Sequence, residues 1–406
     1  MLNRRNFLKT SAAAAAAVGV SANIAETKAH ASTKSPAPRN PRPYSNVDWD
    51  SAIQIYTTTH GHVTSQSMLN KFLERDYEFL TISNYYPSAP YYPMSKMTRN
   101  YYRVHHDHPV MFRGTLTDGP FDWNAILKPW VDTLEEKYRR QYPFEEGGPL
   151  FTEYPADIMQ APNAEHHSFT DSPAHICAPG SLYASGTFDA RDFFKTKTHG
   201  YHFGVGLPWR TGFDNMLNAL LYEDGGGVTI NHPAWSHLKQ EQMLEMLDYD
   251  PRVLGIEVFN DSSELMTQTG WSEHYWDHAL ETGRQCFGFF VPDWHKEGVN
   301  VLLIPERNAH ECLKAYRQGN WYGALKGGGI LRFRSIRFDG KTLTAKTDKT
   351  AKFQIIAKTG VVFEQTAEEI SFTLTNADCE KYVYLRLKAY ATDDSGEILF
   401  SQPFMI

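Results

Sequence analysis

Gly225-Gly226-Gly227-Val228-Thr229-Ile230-Asn231-His232-Pro233 is the stretch on which the fold reading turns. Upstream of it Phe213, Met216, Leu217, Leu220 and Leu221 are spaced as one buried helical face, and the glycines read as the stop of that helix. A β-branched run follows, and His-Pro closes it. This pattern predicts a strand that delivers an imidazole from its C-terminal end, where α/β barrels keep their chemistry.

The same arrangement recurs on both sides. Upstream, Ala52-Ile53-Gln54-Ile55-Tyr56-Thr57-Thr58-Thr59 is β-rich and runs into His60-Gly61-His62. Residues two apart in a strand face one side, so two imidazoles there can grip one ion. A helical patch, Met68–Leu73, and a strand, Phe79–Ile82, come next. Glu165 and His175-Ile176-Cys177 follow; a carboxylate can bridge two ions where an imidazole cannot. Downstream, a strand at Phe203–Leu207 precedes the helix before the glycines. Leu238–Leu247 is helical, Val253–Phe259 is a strand carrying Glu257, and Trp271–Thr282 is helical. Cys286–Val291 is a strand ending at Asp293-Trp294-His295, and Ala309–Gln318 is helical. Strands alternating with helices, each strand ending in a ligand-type residue, predict a parallel, barrel-like α/β domain.

At 406 residues, with 41% hydrophobic and 14% aromatic content, the chain can bury a sizeable core. Its net charge of -7 argues against a nucleic-acid polyanion as partner, which demands a basic surface. Cys177, Cys286, Cys312 and Cys379 form no CxxC pair, so a disulfide framework is not expected.

Residues 1–31 resemble a twin-arginine (Tat) signal peptide. Arg4-Arg5-Asn6-Phe7-Leu8-Lys9 precedes an alanine-rich run, and Ala29-His30-Ala31 offers small residues for cleavage. The resemblance implies export, to the periplasm or beyond, with no membrane span left after cleavage. Residues 32–50, rich in proline, read as a linker. Residues 85–150 read as an aromatic insertion that either walls the site or packs on the domain. It contains His105-His106-Asp107-His108 and a helix at Leu127–Tyr142. From residue 327 helical periodicity stops, and short alternating runs with turn signals predict a small antiparallel β-sandwich-like domain over 327–406.

The ordered motifs (HxH, Glu with a trailing His, Gly-Gly-strand-His-Pro, strand-Asp-x-His, Gly-Asn-Trp-Tyr) resemble the PHP (polymerase and histidinol phosphatase) superfamily over residues 51–326. The signal and the added β domain look most like its carbaryl-hydrolase branch (CehA/McbA-like). The resemblance implies a distorted (β/α)7 barrel with a metal site at the strand C-termini. Carried over by position, His60, His62, Glu165 and Asp293 would hold one ion, and Glu165, His175 and His232 a second. His295 would belong to a third. The family's Thr-Asp-His segment reads Thr81-Ile82-Ser83-Asn84-Tyr85 here, and Gln66 stands near the place of an acid or His after HxH. Two divalent ions, Zn, Mn or Fe, are therefore expected rather than three. Asn84, Tyr85, Asn231, Glu257 and Trp294 are candidates for orienting ligands or touching substrate.

The ligand set implies a metal-bound hydroxide as nucleophile, with no separate side-chain nucleophile, acting on an ester, amide, carbamate or phosphoester bond of a small molecule. No GxSxG, Walker loop or dinucleotide fingerprint is present. The competing expectation is a degraded PHP-like protein that binds metal and ligand without turnover. Nothing in the sequence sets the oligomeric state.

Overall fold

The β-branched run after the three glycines does form a strand, but the sheets around it are not those of a closed barrel. The computed structural model describes residues 42–84, 92–97, 115–116, 136, 140, 143, 148–167, 169–185, 207–326 and 331–406. The chain divides into Met1–Pro38 and Arg39–Ile406; only the second contains described residues. Most of the insertion lies outside them, including Tyr85, His105, His106, His108 and nearly all of Leu127–Tyr142, as does most of Phe203–Leu207.

The first half contains strand β1 (Ile53–Thr58), helix α1 (Gln66–Leu73), and strands β2 (Tyr77–Leu80), β3 (Met159–Gln160), β4 (Glu165–His166) and β5 (His175–Cys177). Then come α2 (Trp209–Asn218), β6 (Val228–Asn231), α3 (Gln240–Leu247), β7 (Val253–Asn260), α4 (Asp261–Thr267), α5 (Glu273–Glu281), β8 (Phe287–Val291), β9 (Val299–Ile304), α6 (Ala309–Gln318) and β10 (Trp321–Leu325). The remainder is β11 (Phe333–Phe338), β12 (Thr342–Ala357), β13 (Gly360–Thr373), α7 (Asn376–Lys381), β14 (Tyr384–Ala391), β15 (Ile398–Phe400) and β16 (Phe404–Met405).

These strands build two main sheets. The larger has eleven strands in the order β11-β12-β14-β15-β10-β9-β1-β2-β3, with β13 on β12 and β16 on β14. The smaller has five, in the order β8-β7-β6-β5-β4. Parallel pairing survives only in part: β1 with β2 and β2 with β3, β6 with β7 and β7 with β8. Elsewhere the main sheets pair antiparallel. In particular β9 returns antiparallel to β1, with Ile53 opposite Ile304, and β5 pairs antiparallel with both β4 and β6.

The (β/α)7 barrel expected above is therefore overturned. A parallel neighbour needs a crossover of a dozen or more residues, usually a helix. The short loop 292–298 between β8 and β9 carries none, so β9 turns back and joins the other sheet instead. The separate β-sandwich-like domain is overturned as well. Its strands are antiparallel, but they continue the large sheet through the pairing of β10 with β15, Gly323 opposite Phe400. One apolar core joins Tyr322 and Val301 to Phe333, Leu385 and Leu399 without a break. The same core takes in Tyr44 and Trp49, from the stretch read as linker; the Tyr44 hydroxyl donates to the Trp321 carbonyl at 2.9 Å.

Between the two sheets Ile55, Phe79, Phe289 and Leu302 pack with Trp321 and, from α6, Tyr316. The outer face of the smaller sheet presents Ile176, Ile230, Ile256 and Val258 to α2, α3 and α5 through Phe213, Met243 and Trp276. Alternation along β7 thus turns Ile256 and Val258 toward helices and leaves Glu257 on the other face.

The three glycines are not the immediate stop of a helix, since α2 ends at Asn218. They mark a close approach of backbones. Gly226 has φ of 67°, donates its N–H to the Leu313 carbonyl at 2.8 Å, and an added Cβ would run into the Pro179 carbonyl.

Candidate metal centre

The ends of β1 and β8 meet where the two sheets touch. Gly61 bridges Asp293, His62 N–H donates to the Asp293 carbonyl at 3.1 Å, and Asp293 N–H donates to the His60 carbonyl at 3.2 Å. Glu165 is drawn to the same place because its N–H donates to the Ser83 carbonyl at 3.0 Å. Asn163 locks the loop before it, its amide donating to the carbonyls of Thr59 and Thr81 at 2.8 and 3.1 Å. Gly61 must be small: an added Cβ would stand 3.0 Å from the Phe72 ring and 3.1 Å from the Thr58 methyl.

Six ligand-type side chains converge there, and all are buried: His60, His62, Glu165, His175, His232 and Asp293. Glu165 Oε2 lies 3.0 Å from His62 Nε2 and 3.2 Å from His60 Nε2. The two Nε2 atoms are 3.2 Å apart, and Asp293 Oδ1 is 3.5 Å from that of His60 and 3.3 Å from that of His62. The donor atoms of His60, His62 and Glu165 lie close enough together to reach one ion at about 2 Å each, the length of a Zn–N or Zn–O bond, with Asp293 Oδ1 beside the two imidazoles. Asp293 Oδ1 accepts no hydrogen bond among the described residues although it is buried, an arrangement that a cation would satisfy. The other oxygen of Glu165 faces a second set. Oε1 is 2.7 Å from His175 Nδ1 and 3.3 Å from His232 Nε2. Three protein ligands of that kind leave a position open for substrate or water.

Electrostatics fit the same occupant. Burial resists charge on His60, but the carboxylates of Asp293, Glu165 and Glu257 outweigh it and lift its pKa well above the usual imidazole range. Burial likewise opposes ionisation of Glu165, and His60 with the hydrogen bonds of His175 and His232 holds it well below the usual carboxylate range. A buried anionic cage without a cation is costly, so these residues fit divalent ions.

Glu257 is completely buried beside the cage. Its Oε1 lies 2.7 Å from His60 Nδ1; a carboxylate only accepts, so the proton sits on Nδ1 and Nε2 offers its lone pair. Trp294 stacks on His62 with ring centroids 4.2 Å apart, and Trp235, which nothing in the sequence singled out, stands edge-on to His175 and His232.

Other candidates lie elsewhere. His295 is exposed and belongs to none of the ligand groups among the described residues, because the left-handed backbone of Asp293 (φ 55°) turns the chain away after it. Asn84 is buried but engaged with Val63, accepting its N–H at 2.8 Å and donating to its carbonyl at 3.0 Å, so it shapes the loop after His62. Asn231 is spent on Cys177, accepting its N–H at 3.2 Å. Gln66 is on the surface, where its side-chain oxygen accepts the N–H groups of Thr152 and Glu153. Ser83, Asn163 and Asn260 were missed; polar residues that act by holding backbone carry no periodic signal of their own.

Comparison with known proteins adds little about chemistry. A two-domain protein from Bacteroides vulgatus, containing a predicted PHP-like metal-dependent phosphoesterase, is similar with a TM-score of 0.37 and 9% identity over 92% of each chain. No curated protein matches the chain. Among the described residues no helix is long and apolar enough to cross a membrane. Residues 1–21 match the TAT (twin-arginine translocation) pathway signal sequence family. Replacing Arg4 and Arg5 together by Lys is expected to leave precursor in the cytoplasm on cell fractionation; normal export of that variant by the Sec route would overturn the twin-arginine dependence. The signal directs the chain across the cytoplasmic membrane, to the periplasm or beyond.

Proposed function

We propose that this protein is an exported metal-dependent hydrolase holding two divalent ions, Zn, Mn or Fe, and acting on ester, amide, carbamate or phosphoester bonds of small molecules. The observation that carries the reading is Glu165: the two oxygens of one buried carboxylate each face a separate set of imidazoles. The order of the ligand motifs, similar to that of the PHP superfamily, supports it. His60, His62, Asp293 and Glu165 would hold one ion; Glu165, His175 and His232 would hold the other. Ions held there would supply Lewis acidity and the means of activating water near neutral pH.

The chain's own residues do the rest. Glu257 keeps the proton of His60 on Nδ1, so that Nε2 remains a donor atom. The Trp294 and Trp235 rings fix the planes of the ligand imidazoles and screen them from solvent. Cys177 is no nucleophile: burial pushes its thiol far above the usual range, and Asn231 donates to its sulfur at 3.1 Å.

Charge then narrows the substrate. Two divalent ions bring four positive charges, and Glu165, Asp293 and Glu257 return three negative ones, leaving one net positive charge. Among the described residues no Lys or Arg forms an ion pair with these carboxylates. A doubly charged phosphomonoester gains most from positive charge and finds little here. Carboxylic esters, amides and phosphodiesters are expected to exceed phosphomonoesters in kcat/KM by roughly tenfold or more, about 1.4 kcal/mol in the barrier. The test is metal analysis combined with a panel of aryl esters, amides, phosphodiesters and phosphomonoesters. Two ions per chain and the stated order support the reading; ions without turnover of any substrate refute it.

A further inference from the structure

We propose that Asn260 is a positioning residue of the metal centre, one amide that sets both carboxylate partners of the His60 side. The inference rests on the metal-centre reading above and goes beyond its ligands.

Asn260 is the last residue of β7 and is completely buried. Its Oδ1 accepts the Ser263 N–H at 2.9 Å and so caps α4. Its Nδ2 has two protons and spends them on two carboxylates, Glu257 Oε2 at 3.0 Å and Asp293 Oδ2 at 3.2 Å. Holding Oδ2 aims the other oxygen of Asp293, Oδ1, at His60 Nε2 and His62 Nε2, where it accepts no hydrogen bond among the described residues. Holding Glu257 extends the brace. Glu257 Oε2 also accepts the His232 N–H at 2.8 Å, while its Oε1 lies 2.7 Å from His60 Nδ1.

Both Asp293 and His232 have positive φ, 55° and 24°, which residues other than glycine adopt only when their surroundings hold them. Asn260 is at the junction of those restraints. A neutral donor is required at this point, because a third carboxylate would repel the other two and a hydrophobe would take from Asp293 Oδ2 its hydrogen bond while leaving Glu257 the His232 N–H. The cap alone does not explain the residue. Serine and aspartate cap a helix as well as asparagine, and neither offers an amide.

That difference provides the test. Asn260→Ser keeps a capping oxygen and removes the donor. Asn260→Asp keeps shape and cap and replaces the donor by negative charge. Each full-length chain is stripped with chelator and titrated calorimetrically with zinc alone, and the melting point of the stripped protein is recorded. The wild type should take up two ions. Asn260→Ser should bind the ion on the His60 side about 10- to 100-fold more weakly, as loss of a hydrogen bond behind a ligand does, with a metal-free melting point near that of the wild type. Asn260→Asp should also bind more weakly, although its added charge alone would tighten binding of a cation. In cobalt-loaded protein both variants should change the visible spectrum of the His60-side ion.

Unchanged zinc affinity in both variants overturns the proposal, as does tighter binding by Asn260→Asp or a lower melting point with no change in affinity. Those results leave the metal centre standing. A wild type that binds no zinc overturns the proposal and the metal centre together.

Discussion

Glu165→Gln is expected to break the bridge between the two halves of the centre and to cost it at least one ion. The substitution preserves shape and removes one proton acceptor, so packing around it should survive. The two oxygens serve different partners, Oε2 toward His60 and His62 and Oε1 toward His175 and His232. A glutamine has one oxygen to offer and must point its NH2 at one imidazole set, where it is a donor and no ligand. The residue is 1% exposed, so water cannot stand in for the lost oxygen. Metal analysis should find at most one ion per chain, and kcat/KM should fall on the order of a thousandfold, about 4 kcal/mol in the barrier. Two retained ions with wild-type turnover would remove Glu165 from the centre and the two-ion reading with it.

Removal of the ions should also destabilise the fold. Glu165, Glu257 and Asp293 are 1%, 0% and 5% exposed and lie within one network of imidazoles. Without cations their charge is left to the surrounding imidazoles, and burial opposes charge on His60. A ligand present at about a thousandfold over its dissociation constant contributes about 4 kcal/mol to the state that binds it. Chelation is accordingly expected to lower the melting temperature by roughly 10 °C, and stoichiometric metal to restore it. The check is calorimetry with and without chelator. Identical melting curves would mean that nothing in the folded protein depends on a cation.

Much of the candidate site is legible in the sequence because it depends on local rules. Short apolar runs followed by a polar residue mark the ends of β1, β6 and β8, and they bring His60, His62, His232 and Asp293 to strand ends. Helix periodicity places α6 at Ala309–Gln318, where the structure has it. Neighbouring positions are less legible. Asp293 and His295 are two residues apart and look equivalent in a strand, yet a left-handed backbone at Asp293 sends one inward and the other to solvent. Asn84, seemingly a ligand position, is consumed by the backbone of Val63.

The sequence by itself determined the export signal, the strand-end chemistry and the order of the ligand types, all of which are written within a few consecutive residues. The tertiary structure decided which strands pair, in which direction, and therefore that two sheets meet at Gly61 and Asp293 instead of closing into a barrel. It also decided that Glu257 and Asn260 stand behind the ligands. A strand's own periodicity tells which face is buried but carries no record of its hydrogen-bond partner, and Ile53 finds Ile304 only after the chain between them has folded.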